Sequence, residues 1–205
     1  MGQRLAHRYR IDKLMGQGGF GQVFLAQDEQ LPGQPVCVVK QLNPQVGTDA
    51  AKVLDTAQRL FELEAKTLYR LGEHPQIPRL LAHFEEAGQR YLVQEYIPGH
   101  SLAEEFARGP LSLDTAQRYL QQLLTVLAAV HHQQVIHRDI KPSNILCRQG
   151  ASEQLVLIDF GAVKALQTAA SPRPTVAIGS LGSQWLPNNR RGVHVLAVIY
   201  IAWAW

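Results

Sequence analysis

The stretch "IHRDIKPSNILCRQGASEQLVLIDFG", residues 136–161, constrains the fold of this chain more than any other. It holds two short runs of apolar and β-branched residues, "NILC" and "LVLID", joined by the polar loop "RQGASEQ". Runs of this length bounded by turn-formers read as buried strands. Asp139, Lys141 and Asn144 stand before the first run, and Asp159 ends the second. Pro142 lacks an N–H and its ring clashes with the preceding turn, so Asp139 and Asn144 belong to a loop, not to a helix interior. The chain must therefore present polar, oxygen-bearing side chains at the ends of buried strands.

The other elements follow from periodicity. Residues 8–42 read as strands: "YRIDKLMG", "GQVFLAQD" and "PVCVVKQL" are rich in β-branched and aromatic residues and separated by Gly and Pro. From Asp49 to Leu71 the period becomes helical, with Val53, Leu54, Ala57, Leu60, Phe61, Ala65, Leu68 and Leu71 at helical spacing and Thr48 as a candidate N-cap. "RYLVQEYI" returns to strand. "LSLDTAQRYLQQLLTVLAAVHHQQ" is a helix that Ser112 can cap, with a stripe of Leu120, Leu123, Leu124, Leu127 and Val130. His131 and His132 close it as surface or helix-end residues. Past Gly161 the periodicity fades into a Ser, Thr and Pro-rich loop over 167–175. The expected class is α+β in two lobes. A β-rich lobe with one main helix occupies 1–97, and a mainly helical lobe occupies 98–183, joined near Pro98-Gly99. Residues 184–205 stand apart as a tail.

Composition excludes several classes. With 46% hydrophobic and 18% charged residues, the chain is of ordinary globular type. The net charge of +3 is mild, and apart from Arg190-Arg191 the basic residues are scattered, so no nucleic-acid stripe is formed. Cys37 and Cys147 are too few and too separated for a disulfide framework or a zinc site, which suits a reducing, cytoplasmic setting. "MGQRLAHRYR" has no apolar h-region and reads as no signal peptide, and Ala6 stands where a myristoylation motif has Ser or Thr. The apolar run from Val193 to Trp205 falls short of the roughly 20 residues a spanning helix needs. No membrane span is expected.

"MGQGGFGQV" contains Gly16, Gly18 and Gly21 as G-x-G-x-x-G. Alone this motif is weak. A dinucleotide fold needs it between a strand and a helix, with an acidic residue further on. Here it lies between two strands, and the following strand brings Lys40, a cation. The pattern suits a hairpin whose backbone approaches phosphate while a lysine meets the charge; a glycine-rich hairpin with no ligand has the same look. Asp139, Asn144 and Asp159 tip the balance. They are hard oxygen donors, suited to Mg²⁺ bridging phosphate oxygens.

From Tyr9 to Gly182 the chain resembles the eukaryotic-like (Hanks-type) serine/threonine protein kinases, as found in bacteria. The resemblance rests on the Gly-rich loop, Val38-Val39-Lys40, His137-Arg138-Asp139 with Asn144, and Asp159-Phe160-Gly161. It implies that Met15, Gly16, Gly18, Gly19, Phe20 and Gly21 cover ATP and that Lys40 holds its α- and β-phosphates. Glu64 pairs with Lys40, in preference to Glu62. Asp139 accepts the proton of a substrate hydroxyl, Lys141 steadies the transferring phosphoryl, and Asn144 and Asp159 bind Mg²⁺. Backbone groups of Glu95 and Ile97 hold adenine, Gln94 is the gatekeeper, and Val23, Val38 and Leu146 sandwich the ring. Val38 departs from the family's usual Ala and narrows the pocket roof. Leu68, Leu80, His137 and Phe160 form a stacked spine between the lobes. Arg138 implies control by phosphorylation at Thr168, Ser171 or Thr175. The implied partners are protein substrates; a nucleotide-binding remnant without turnover is the alternative, and the resemblance is silent on oligomeric state.

After "TVAIGSLG" the family continues differently from "SQWLPNNRRGVHVLAVIYIAWAW". Back-translation from the third base of each codon permits Met-Ala-Thr-Glu-Gln over Gln184–Asn189 and Asp-Ile-Tyr-Ser-Leu-Gly-Met over Val198–Trp205, both family-like. The expectation is a reading-frame shift near Ser183-Gln184 and a truncated, poorly soluble or inactive product. Intact mass of the protein captured from its source cells on an ATP resin checks this. A mass of 22.8 kDa means the short chain is the product, whereas a much larger one means the frame continues.

Overall fold

Val36–Leu42 sets the plan of the first layer, because its apolar residues alternate with functional ones. This strand is β4 of a computed structural model that describes residues 2–18, 21–43, 50–150, 153–161 and 164–165. Its sheet also contains β1 (Arg4–Leu5), β2 (Tyr9–Gly18), β3 (Gly21–Asp28), β5 (Leu80–Glu86) and β6 (Gln89–Glu95). The six strands are ordered β1-β2-β3-β4-β6-β5 and pair antiparallel. The period of two sends Cys37 and Val39 to one face and Val38, Lys40 and Leu42 to the other. On the first face Tyr9, Ile11, Ala26, Cys37, Val39, Tyr91 and Val93 make a closed apolar cluster, completed by Phe24, Ala82 and Phe84. The rings of Tyr9, Phe84 and Tyr91 stack in series, with centroids 6.0 and 5.3 Å apart.

Helix α1 (Ala50–Leu71) packs on the second face, and two more helices follow, α2 (Leu102–Arg108) and α3 (Leu113–His132). Ser112 caps α3 as the sequence predicts: its Oγ accepts the Thr115 N–H at 3.1 Å. A full capping box opens α2, with Ser101 Oγ accepting from Glu104 N–H and the Glu104 carboxylate accepting from Ser101 N–H at 2.6 Å. Short strands complete the frame: β7 (Gly99–Ser101), β8 (Val135–Ile136), β9 (Ile145–Arg148), β10 (Gln154–Leu157) and β11 (Lys164–Ala165). They form a three-stranded sheet β10-β9-β7 and a two-stranded pairing β11-β8. Pro142 opens a single 3-10 turn over Pro142–Asn144 within the expected loop. A first-turn position leaves its missing N–H without consequence. Gly99 is required where β7 crosses β9, since a Cβ there would lie 2.1 Å from the Cys147 carbonyl oxygen.

The α+β class expected from the sequence is observed. One apolar core unites α1, α3 and the β9-β10 hairpin, through Phe61, Leu68, Ile77, Leu123, Val126, Leu127, Ile145, Leu155, Leu157 and Phe160 among others. Two readings need correction. Leu124 is 52% exposed, so the buried face of α3 is Ala116, Tyr119, Leu123, Val126, Leu127 and Val130. Leucines on neighbouring helical positions leave the centre of the stripe open by about one residue (100°) until a partner surface chooses it. Strands β1, β5, β7, β8 and β11 and helix α2 were not foreseen. Thr48, the expected cap of α1, lies outside the described residues, as does the tail over 184–205.

A buried ion pair ties the start of the sheet together. Asp28 is 1% exposed, and Arg8 donates to both its oxygens, Nε to Oδ1 at 2.8 Å and Nη2 to Oδ2 at 2.7 Å. These bonds hold the Asp28 carboxyl below its usual range although burial acts the other way. A depressed folded-state value contributes stability above the unfolded carboxylate pKa of about 3.9, and that stability is lost as pH falls through the folded value. The thermal midpoint should therefore fall on acidification below about pH 4, and Asp28→Asn should flatten that limb while lowering the midpoint at pH 7. An unchanged acid limb in the variant would show that other carboxylates set it.

Candidate active site

Lys40 is the hub of the site. Its Nζ donates to Glu64 Oε1 at 2.5 Å and to Asp159 Oδ1 at 3.2 Å. Its side chain is 14% exposed, against 5% for Glu64 and 46% for Asp159. Burial opposes the charge on Lys40, but the two carboxylates outweigh it and hold the ammonium above its ordinary range. Asp159 is likewise pushed up by burial, yet Lys40 holds it below the usual carboxylate range. Helical spacing explains why Glu64 is the partner, since it shares the buried stripe of Phe61, Ala65 and Leu68. Glu62 points elsewhere, accepting from Arg90 Nη1 at 3.1 Å and lying 3.5 Å from His83 Nε2.

The loop after β8 gathers the second group. Asp139 Oδ2 accepts from Lys141 Nζ at 2.7 Å and from Asn144 Nδ2 at 2.8 Å. Asn144 Nδ2 also donates to the Asp139 carbonyl at 2.9 Å, and its Oδ1 has no hydrogen-bond partner among the described residues. His137 fixes the loop from below. The Ile158 carbonyl, 3.2 Å from Nε2, can only accept, while the Asp139 N–H, 3.3 Å from Nδ1, can only donate. The imidazole is therefore neutral with its proton on Nε2, and burial pushes its pKa down in agreement. Its ring meets Phe160 edge-on at 4.7 Å, and Leu68 and Phe160 share one core with the partly buried Leu80. Arg138 and Asp159 both take left-handed backbone, with φ of 69° and 65°. Such conformations cost on the order of 1–3 kcal/mol each and need surrounding structure to enforce them.

The sheet supplies a wall. Val23 lies opposite Lys40, and Val38 opposite Gln94, so Val23, Val38, Lys40 and Gln94 share the face away from the aromatic cluster. Met15 and Gly16 lie on β2 and Gly18 pairs with Gly21 at the tip of the β2-β3 hairpin. Gly19 and Phe20 lie outside the described residues. Beyond β6, Glu95 N–H donates to the Arg79 carbonyl at 2.9 Å, whereas Ile97 has no backbone hydrogen bond among the described residues. Leu146 is half-buried on the side of β9 that also carries Arg148, whose Nη2 reaches Glu95 Oε1 at 3.4 Å. The two groups are joined through Ile158, next to Asp159, whose N–H donates to the Asn144 carbonyl at 2.9 Å and whose carbonyl lies 3.2 Å from His137 Nε2. Thr168, Ser171 and Thr175 lie outside the described residues. Among the described residues no cluster of three or more His, Cys, Asp or Glu could hold a metal by itself, and no helix is long and apolar enough to cross a membrane.

The family described as "Protein kinase domain" matches residues 9–186. This chain belongs to the protein kinase family. It is 52% identical over 162 residues to the serine/threonine-protein kinase B of Synechocystis sp., covering 78% of this chain and 28% of that protein. It is 41% identical over 197 residues to the serine/threonine-protein kinase PknA of Nostoc sp., covering 93% and 34%. It is 32% identical over 182 residues to the serine/threonine-protein kinase PrkC of Bacillus subtilis, covering 88% and 26%. The chain thus spans about a third of the length of these curated relatives.

Sequence reasoning passed over Ser101 and Glu104, whose S-x-x-E spacing announces the cap of α2. It also passed over Gln76, whose contacts no local pattern announces. The three glycines of the hairpin are not equivalent. A Cβ on Gly21 would lie 2.0 Å from the Gln41 carbonyl oxygen, whereas one on Gly16 or Gly18 meets nothing within 4 Å. Gly21→Ala should therefore lower the thermal midpoint and Gly18→Ala should not, as read by parallel melts. Equal melts would show that the β3-β4 pairing yields at Gly21.

Proposed function

We propose that this kinase domain transfers the γ-phosphoryl group of ATP to Ser or Thr hydroxyls of protein substrates. The observation that supports the reading is the meeting of Lys40 with Glu64 and Asp159 and of Asp139 with Lys141 and Asn144, the two groups joined by the Ile158 N–H bond to the Asn144 carbonyl. Phosphoryl transfer asks for positioning and charge neutralisation more than covalent chemistry, and these residues supply both. In this reading Lys40, steadied by Glu64, meets the α- and β-phosphates, and the hairpin of Met15, Gly16, Gly18, Gly19, Phe20 and Gly21 covers them. Val23, Val38 and Leu146 enclose the adenine ring beside Gln94, and backbone groups of Glu95 and Ile97 read its edge. Asp139 takes the hydroxyl proton on Oδ1, since both of its side-chain hydrogen bonds fall on Oδ2. Lys141 is then placed to meet the charge of the moving phosphoryl.

The donor set fits a hard divalent cation. Asn144 offers an amide oxygen that has no partner among the described residues, and Asp159 a carboxylate that Lys40 holds below the usual range. Two such ligands and no third suit Mg²⁺, which prefers few protein ligands alongside phosphate and water oxygens. When bound, the ion neutralises phosphate charge. A cytoplasmic setting, division of the chain at residues 97 and 98, and control through Arg138 with Thr168, Ser171 or Thr175 belong to the same proposal. A nucleotide-binding role without turnover is the second reading; it shares the Lys40 site and dispenses with Asp139.

Asp139→Asn separates the two. The transfer reading expects the protein as it occurs in its source cells to phosphorylate a Ser/Thr protein substrate from radiolabelled ATP. The variant should lose at least about a hundredfold of that rate, the scale of a general base, while binding ATP as before. Nucleotide binding with no transfer in the unsubstituted chain would favour the second reading, and absence of both would overturn each.

A further inference from the structure

Gln76 is 5% exposed, in the loop between α1 and β5, and it makes more long-range hydrogen bonds than any other amide in the structure's described loops that the candidate site does not use. Its Nε2 donates to the Gln122 carbonyl on α3 at 3.0 Å and to the Leu155 carbonyl on β10 at 3.1 Å. Its own carbonyl accepts the Leu157 N–H at 2.9 Å. Gln122 completes the lattice. Its Oε1 accepts the Leu155 N–H at 2.7 Å, and its Nε2 donates to the Glu153 carbonyl at 3.0 Å. β10 is the edge of its sheet, with β9 on its other side. An edge strand exposes alternate N–H and C=O groups that must find partners when buried. Leu155 and Leu157 are 0% and 1% exposed, and the glutamines satisfy the Leu155 carbonyl and N–H and the Leu157 N–H.

We infer that Gln76 is a positioning residue that couples the two halves of the active site. The loop holding Gln76 ends α1, the helix that carries Glu64. β10 leads directly to Asp159, whose left-handed backbone must be enforced from outside. The Gln76 amide sews these two segments into one unit, and Lys40 can reach Glu64 and Asp159 together only while they keep their relative placement. The backbone bond from Leu157 to Gln76 survives any side-chain substitution, so its loss would report movement of the loop and not merely a missing amide. The inference rests on the proposed nucleotide site, and it concerns the Mg²⁺-dependent part of binding, in which Asp159 takes part.

The test compares the protein as it occurs in its source cells with its Gln76→Met variant expressed there; methionine keeps the length of the side chain and removes its polarity. Affinity for a non-hydrolysable ATP analogue is measured with Mg²⁺ and with chelator. The variant should lose roughly tenfold in the magnesium-dependent gain, the scale of leaving buried acceptors unpaired, and keep its metal-free affinity. Amide exchange at Leu157 should speed up in the same variant. Unchanged magnesium dependence with an unchanged Leu157 rate overturns the inference. Should Gln76→Met fail to fold, the unsubstituted chain decides: adding the magnesium-bound analogue must slow exchange at Leu157, and no change there overturns it as well. Failure of the unsubstituted chain to bind the analogue at all would instead strike the nucleotide reading itself.

Discussion

A buried ammonium tolerates no half measures. Lys40 sits in surroundings that penalise its charge, and Glu64 and Asp159, meeting it from two sides, outweigh that burial and hold its ammonium above the ordinary range. Removing one member of a buried ion pair typically costs about 3–5 kcal/mol, because the survivor is left charged and unpaired. Much of the described structure serves this one meeting. β4 delivers the lysine, the apolar stripe of α1 orients the glutamate, and the β10 strand ends where the aspartate must turn. A buried pair of this kind is a poor source of net stability, but it is a strict test of whether three distant segments have been brought into register.

The way these segments are tied differs across the molecule. On the far face of the first sheet, apolar packing and stacked rings suffice, since nothing there must be placed to a fraction of an ångström. Around the candidate site the ties are polar and directional. His137 bridges its own loop to the Ile158 carbonyl, Asn144 folds back onto Asp139, and Gln76 with Gln122 closes the edge of β10. Hydrogen bonds fix angle as well as distance, and buried ones are costly to leave unmade. They allow Arg138 and Asp159 to hold backbone conformations that isolated residues avoid.

Local patterns carried much of this. Strand period two over Tyr9–Leu42, helical period over Ala50–Leu71 and the Ser112 cap made β2, β3, β4, α1 and α3 legible, and motif spacing picked out Lys40, Asp139, Asn144 and Asp159. The short pairings β1, β7, β8 and β11 were not legible, because two- and three-residue strands have no period to read and exist only through their partners. β5 was hidden for another reason: its exposure alternates without a clean apolar alternation, and β6 selects its register. α2 could have been read from its capping box, but seven residues leave little room for a hydrophobic stripe. Leu124 shows the limit of stripe reading, as an apolar residue one position from the packed face looks the same in sequence as one upon it.

By itself, then, the sequence determined the class of the fold, the family and the chemical types gathered for the site, because periodicity and spacing are properties of neighbours along the chain. Only the tertiary structure decided that Leu124 stays outside the packed face of α3, that Gly21 alone of the three described hairpin glycines is sterically required, and that Gln76 closes the edge of β10. Each of these depends on which surfaces far apart in sequence come to face each other, and no local pattern encodes that.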